Sequence, residues 1–112
     1  MGGRVQELNS HSELEPILAR AGNNLTVIDF SAAWCGPCKM IAPYYAELSD
    51  KSEFSSVEFV KVDVDTVEQT AQQYSVEAMP TFVFIKNGKE ISDARLTGAS
   101  KDRLLAAINK YK

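Results

Sequence analysis

Apolar residues recur along the chain at two spacings, one typical of helices and one of strands. A first helix is predicted from Leu14, with apolar residues at helical spacing and a capping-box pattern, Ser10 with Glu13, just before it. Gly22-Asn23-Asn24 ends this helix. The run from Leu25 to Phe30 is continuously apolar and rich in β-branched residues. It predicts a strand that is buried on both faces.

The same two periods continue to the carboxyl end. A second helix is predicted from about Cys35 to Ser49, with its apolar side chains on one side. From Val57 to Val64 the pattern alternates, with Val60 on one face and Lys61 on the other. The remaining predicted elements are a short helix over 67–74, a continuously apolar strand over 81–85, an Asn87-Gly88 hairpin turn leading to a strand around 91–96, and a last helix opened by Ser100.

The predicted order is β-α-β-α-β-α-β-β-α, with five strands and four helices. Strands that are buried on both faces and separated by helices require a central sheet with helices on each side. The final hairpin makes that sheet mixed. A chain of 112 residues predicts a single domain over residues 1–112. The fold class is therefore α/β.

Composition and charge exclude several classes of function. The net charge of -3 argues against a nucleic-acid-binding protein, which needs a basic face. No apolar run approaches the roughly 18 residues that span a bilayer. The polar start of the chain lacks the apolar core of a secretory signal. We therefore expect a soluble, cytoplasmic protein that binds neither nucleic acid nor membrane.

The only two cysteines, Cys35 and Cys38, lie three residues apart in Trp34-Cys35-Gly36-Pro37-Cys38. A bridge that closes so short a loop removes little chain entropy, so it is a poor structural cross-link. A zinc site would need further ligands, and His11 is the only histidine. We expect no metal site and interpret the cysteines as a redox pair. Two inert buried thiols are the alternative.

The position of Cys35 predicts its chemistry. It follows a buried strand and begins a helix, where free N–H groups and the helix dipole stabilise a thiolate and lower the thiol pKa. Pro37 suits the first helical turn. Cys38 lies one turn further, within the roughly 4.4–6.8 Å Cα separation of a disulfide. We expect Cys35 to face outward and attack a target disulfide, and Cys38 to resolve the mixed disulfide.

The motif resembles that of the thioredoxin family, and the resemblance covers nearly the whole chain. It is most similar to the cytosolic eukaryotic type. Pro37 stands where disulfide isomerases of the same superfamily usually have His, which implies a reductant. The other segments that carry the resemblance are Val27-Ile28-Asp29-Phe30-Ser31-Ala32, Lys39-Met40-Ile41-Ala42-Pro43, Val60-Lys61-Val62-Asp63-Val64-Asp65, Met79-Pro80-Thr81-Phe82, Lys86-Asn87-Gly88 and Gly98-Ala99.

The resemblance implies a thioredoxin fold, with a central five-stranded mixed sheet flanked by four helices. It implies a protein-disulfide reductase that needs no bound cofactor. Electrons would come from NADPH through a flavin-dependent thioredoxin reductase. The partners would be that reductase and disulfide-containing target proteins such as peroxiredoxins.

The resemblance also assigns roles to two residues of the predicted sheet. Asp29 would be a buried acid-base group that takes the proton of Cys38. From its pattern alone, Asp29 is a polar residue at a strand end. Lys61 would lie near Asp29 and lower its pKa, whereas the pattern also fits a solvated lysine on the polar face of its strand.

Pro80 corresponds to the family's cis-proline, beside the dithiol, and would leave the Met79 backbone free to pair with a substrate segment. A trans proline that begins a strand is the alternative. The implied substrate-binding patch around Cys35 consists of Trp34, Gly36, Pro37, Ala78, Met79, Gly98 and Ala99.

One departure from the family concerns oligomeric state. Many animal thioredoxins carry a further cysteine where this chain has Ala78, and no third cysteine is present. Disulfide-linked dimers are therefore excluded, and we expect a monomer. Two alternative functions remain open: a thioredoxin-fold binding module, and the amino-terminal domain of a longer thioredoxin-like protein.

Overall fold

The structure is a computed structural model that describes residues 3–112. It contains four α-helices, three short 3-10 helices and six strands within those residues. The strands are β1 (Gln6–Glu7), β2 (Thr26–Ser31), β3 (Glu58–Asp63), β4 (Thr81–Lys86), β5 (Lys89–Glu90) and β6 (Leu96–Thr97), and the helices are α1 (Leu14–Ala21), α2 (Gly36–Ser49), α3 (Glu68–Gln73) and α4 (Lys101–Tyr111). The 3-10 helices are His11–Glu13, Ser52–Phe54 and Ser92–Ala94.

The strands form one mixed sheet in the order β1-β3-β2-β4-β5, with β6 also paired to β4. Strands β1, β3 and β2 run parallel to one another. Strand β4 runs antiparallel to its three neighbours, β2, β5 and β6. The predicted α/β architecture and mixed sheet are confirmed, with four flanking α-helices. The sheet has six strands in the described region rather than five.

The hairpin after β4 begins as predicted but ends differently. Asn87 and Gly88 both have positive φ, 53° and 75°, as a two-residue hairpin turn requires. The predicted strand around 91–96 is wrong, because β5 ends at Glu90 and a 3-10 turn follows. That turn buries Ala94, which is 3% exposed, against the core. The chain pairs with β4 again only at β6, after this turn.

The predicted capping box before α1 is also wrong. The Glu13 carboxylate accepts the N–H of Asn9 at 2.8 Å, and the Ser10 hydroxyl lies 3.0 Å from that of Ser12. Neither side chain therefore caps the other's backbone. The cap at the last helix is formed, since Ser100 Oγ accepts the N–H of Arg103 at 3.2 Å.

All six residues of β2 are buried, and their side chains alternate between two apolar layers. Burying one large apolar side chain contributes about 1.5–3 kcal/mol, so the central strand anchors the fold. Asp29 is the only ionisable residue in this strand, and it lies on the same face as Val27. The layer on that face contains Val27, Ile41, Tyr45, Leu48, Phe59, Phe82, Phe84, Leu104 and Ile108, and the opposite layer contains Leu14, Ile17, Ile28, Phe30, Val60, Val62, Ala71 and Val83.

The helices of residues 3–112 are all too short or too polar to cross a lipid bilayer.

Candidate active site

Cys35 occupies the N-cap position of α2. Its backbone is extended, with φ -89° and ψ 112°, and its Sγ accepts the N–H of Cys38 at 3.2 Å. The sulfur therefore accepts a free N–H of the first helical turn, as a serine or aspartate side-chain oxygen does at most helix N-caps. Pro37 lies in the first turn, where its missing N–H leaves no bond unmade. The predicted placement of Cys35 at the start of a helix is confirmed.

Cys35 and Cys38 are joined by a disulfide, and their Cα atoms are 5.3 Å apart. This separation lies within the predicted range. The prediction that Cys35 faces outward is wrong for this disulfide form, because Cys35 is 5% exposed and Cys38 3%. The bridge turns the Cys35 sulfur toward Cys38, and Met79 packs over the pair.

A loop before β4 lies directly against the dithiol. The Met79-Pro80 peptide bond is cis, as the resemblance implied. The carbonyl oxygen of Met79 is 3.7 Å from Cys35 Sγ. Two bonds hold the loop in place: Gly98 N–H donates to Pro80 O at 2.9 Å, and the Thr81 hydroxyl donates to Ala78 O at 2.6 Å.

The seven residues of the predicted patch are all at least partly exposed. Trp34 is the most prominent, at 68% exposure, and its indole N–H donates to Asp65 Oδ2 at 2.9 Å. Gly98 has a φ of +102°, and a Cβ there would meet no atom within 4 Å. Its backbone is therefore open to an approaching chain. Gly36, Pro37 and Ala78 are exposed, and Met79, Gly98 and Ala99 are half-buried.

Met40 is an exposed apolar residue beside the predicted patch that sequence reasoning missed. It is 67% exposed, and together with Ala99 it lines a groove between α2 and the start of α4. A signal was present, because Met40 lies off the buried face of α2 that Ile41 and Tyr45 define. Asp65 was also missed as the partner of Trp34, and no local pattern indicates that contact.

Asp29 is a buried carboxyl group in the sheet beneath α2. It is 0% exposed, and neither carboxyl oxygen has a hydrogen-bond partner in the described residues. Loss of hydration raises the pKa of Asp29 from 3.8 to about 7, and the positive charge of Lys61 lowers it in part. Lys61 is its register partner on β3, and Phe82 is its partner on β4. As expected, Lys61 lies beside Asp29 and its charge lowers the Asp29 pKa.

Tyr45 forms part of the surroundings of Asp29. Its ring packs against Phe59 and Phe82, with centroids 5.3 and 5.7 Å away. Its hydroxyl donates toward two strand carbonyls, Val27 O at 3.0 Å and Val60 O at 2.8 Å. Burial and the Asp29 charge raise the Tyr45 pKa well above its usual value of 10. The sequence predicted only that the apolar side chains of this helix lie on one side.

A cleft of about 520 Å³ opens beside Cys38. Cys38 and Lys61 both line it, so the cleft joins the second sulfur to the charged partner of Asp29. Residues 3–112 contain no group of three or more His, Cys, Asp or Glu side chains that could hold a metal ion. His11 lies elsewhere, with Nδ1 2.7 Å from the Thr70 hydroxyl.

Comparison with known proteins agrees with this geometry. The sequence model of the Thioredoxin family matches residues 5–110. A thioredoxin of Oryctolagus cuniculus is 44% identical over 106 residues, which are 95% of this chain and 97% of the relative. The human thioredoxin is 43% identical over 106 residues, again covering 95% and 97% of the two chains.

Solved structures show the same likeness. Fasciola hepatica thioredoxin superposes with a TM-score of 0.88 at 46% identity, covering 96% of this chain and 99% of that one. A thioredoxin from Nicotiana alata gives a TM-score of 0.90 at 39% identity, covering 100% and 96%. With its sulfur pair at the start of α2, the chain belongs to the thioredoxin family and is a thiol-disulfide oxidoreductase that reduces protein disulfides.

Proposed function

We propose that Cys35 is the nucleophile and Cys38 the resolving residue of this disulfide reductase. The observation that carries the proposal is the N-cap position of the Cys35 sulfur, which accepts the Cys38 N–H at 3.2 Å. In the reduced protein, this N–H and the helix dipole favour the Cys35 thiolate over the thiol. The thiolate is the form that attacks disulfides.

The reaction transfers two electrons in two exchanges. The Cys35 thiolate bonds to one sulfur of the target disulfide, and the other target sulfur leaves as a thiolate that takes up a proton. The Cys38 thiolate then bonds to Cys35 Sγ, and the remaining target sulfur leaves. The target ends as a dithiol and the enzyme as the Cys35–Cys38 disulfide, whose 5.3 Å Cα separation lets it close without backbone movement.

Asp29 is the base for the second exchange in this proposal. Cys38 must lose its proton before it attacks, and Asp29, the buried carboxyl group of β2, has a pKa of about 7. A base is most effective when its pKa lies near the working pH. Lys61 tunes this base as its charged register partner, and the cleft lined by Cys38 and Lys61 offers a path for the proton.

Substrate binding is assigned to the Met79–Pro80 loop and the surrounding patch. The Met79 carbonyl lies 3.7 Å from Cys35 Sγ, so an extended target segment that pairs with the Met79 backbone would reach the sulfur. Apolar contact would come from Trp34 and Pro37, and Gly36, Ala78, Gly98 and Ala99 would let the target backbone approach. We add Met40 to this surface because of its exposure.

The electron source in this proposal is NADPH, delivered by a flavin-dependent thioredoxin reductase. Members of the family pair with such reductases and with disulfide-containing targets, among which we place peroxiredoxins. This chain needs no bound cofactor, since its two sulfurs carry the electrons. The cytoplasmic location and the monomeric single domain over residues 1–112 rest on the resemblance to the cytosolic eukaryotic type and on the single continuous sheet.

The test couples NADPH oxidation by a thioredoxin reductase to reduction of insulin. We expect many turnovers for the natural chain and none for Cys35→Ser, because the attacking sulfur is gone. Cys38→Ser should accumulate a one-to-one mixed disulfide with the target that dithiothreitol releases. Sustained turnover by Cys35→Ser, or no trapped species with Cys38→Ser, would overturn the assignment of the two roles.

A further inference from the structure

Glu7 lies on the opposite side of Lys61 from Asp29. β1 pairs with β3 so that Glu7 faces Lys61, and β2 pairs with β3 so that Asp29 faces the same lysine. Side chains in register on adjacent parallel strands project from one face of the sheet. The three residues therefore form a row, with strands about 4.8 Å apart. Lys61 lies between an exposed carboxylate and a buried carboxyl group.

Lys61 forms a salt bridge with neither Glu7 nor Asp29 in the described residues. In the part of the chain that the structure describes, no carboxylate oxygen lies within 4 Å of its ammonium. The charged groups that face it are Glu7 of β1, Asp29 of β2, Asp63 of its own strand and Lys39 of α2. Glu7, Lys39, Lys61 and Asp63 all line the cleft beside Cys38. The ammonium can therefore turn toward the cleft mouth or toward Asp29.

We propose that Glu7 is a positioning residue that draws the Lys61 ammonium toward the cleft mouth and so keeps Asp29 basic enough to accept the Cys38 proton. The inference rests on the proposed role of Asp29. Attraction by Lys61 favours the ionised carboxylate and makes it a weaker base. Glu7 offers the ammonium another partner at the moment when Asp29 becomes neutral. In that step the proton moves from Cys38 Sγ to an Asp29 carboxyl oxygen, which leaves a Cys38 thiolate and a neutral Asp29.

The test follows the titration of Asp29 directly, by ¹³C NMR of its carboxyl carbon in the oxidised protein. In Glu7→Gln, which keeps the side-chain shape, the midpoint should fall by about 0.3–0.5 pH unit, the size expected for one partly screened charge. In Lys61→Gln the midpoint should rise. When Glu7→Gln is made in the Lys61→Gln background, its effect should fall to about 0.1 pH unit or less, because the intermediary is gone.

A matched control removes the same charge elsewhere. Glu53 is exposed and lies in the 3-10 turn before β3, away from the cleft. Glu53→Gln should leave the Asp29 midpoint in place. An unchanged midpoint in Glu7→Gln would overturn the proposal, and so would an equal shift with and without Lys61, which would mean that Glu7 acts on Asp29 directly.

A second readout separates this inference from the proposed function on which it rests. The pH profile of mixed-disulfide resolution, measured in a single turnover, should move with the Asp29 midpoint in Glu7→Gln. If the NMR midpoint moves as expected and the kinetic profile does not follow, the coupling of Glu7 to Lys61 stands and the role of Asp29 as the Cys38 base is refuted.

Discussion

Asp29→Asn in the oxidised protein isolates the cost of burying a carboxylate. The cysteines are joined in this form and do not titrate, so the change removes a single ionisable group. The asparagine has nearly the same shape as the neutral carboxylic acid. We therefore expect the fold to be kept and the pH dependence of stability to change.

The sign of the effect follows from the raised pKa. An unfolded chain loses the Asp29 proton near pH 3.8, whereas the folded protein keeps it until about pH 7. Stability therefore falls as the pH rises through this window and is level above it. At about 1.4 kcal/mol for each pH unit, the ionised carboxylate costs about 4 kcal/mol. That is a large part of the roughly 5–15 kcal/mol that stabilises an ordinary domain.

Urea unfolding, followed by circular dichroism between pH 4.5 and 8.5, measures this difference. Asp29→Asn should be close to the natural chain in unfolding free energy at pH 4.5 and more stable by about 2–4 kcal/mol at pH 8.5. Asp93→Asn, at an exposed position, should change stability by less than about 0.5 kcal/mol at any pH. A difference between Asp29→Asn and the natural chain that does not vary with pH would refute the reasoning.

Two further predictions concern the side-chain hydrogen bonds of Trp34 and of Arg4. Asp65→Ala removes the acceptor of the Trp34 indole N–H, so Trp34 fluorescence anisotropy should fall. The kcat/KM for insulin should drop about fivefold, which corresponds to the loss of one hydrogen bond. Unchanged anisotropy would contradict this prediction. Arg4→Met removes guanidinium bonds to Ser49 O at 2.6 Å and Phe54 O at 2.8 Å. Urea unfolding should show a loss of about 1–2 kcal/mol with insulin reduction unchanged, and equal stability would mean that water replaces these bonds.

The sequence alone determined most of the helices, the central strands and the redox pair. Strands β2 and β4 were recognisable because a residue buried on both faces must be apolar at consecutive positions. The two cysteines lie only three residues apart in sequence. The strand before them and the helix that begins at them follow from local periodicity. The N-cap position of Cys35 therefore needed no long-range information.

The predictions that failed concern the ends of helices and strands, where several local conformations have similar energies. Around Ser10 and Glu13, several neighbouring bonds compete, and the carboxylate bonds to Asn9 instead. After β5, the 3-10 turn that buries Ala94 interrupts the strand pairing before β6. The exposure of Cys35 likewise depends on the bridge and on Met79, which is far away in sequence.

Only the tertiary structure decided what surrounds the sulfurs. The row of Glu7, Lys61 and Asp29 exists because three separate strands pair in one register, and a shift of one residue would turn each of these side chains to the other face. The contact of Trp34 with Asp65 also joins distant segments. Periodicity reports which positions are buried, whereas the acidity of a buried carboxyl group depends on which charges the fold brings beside it.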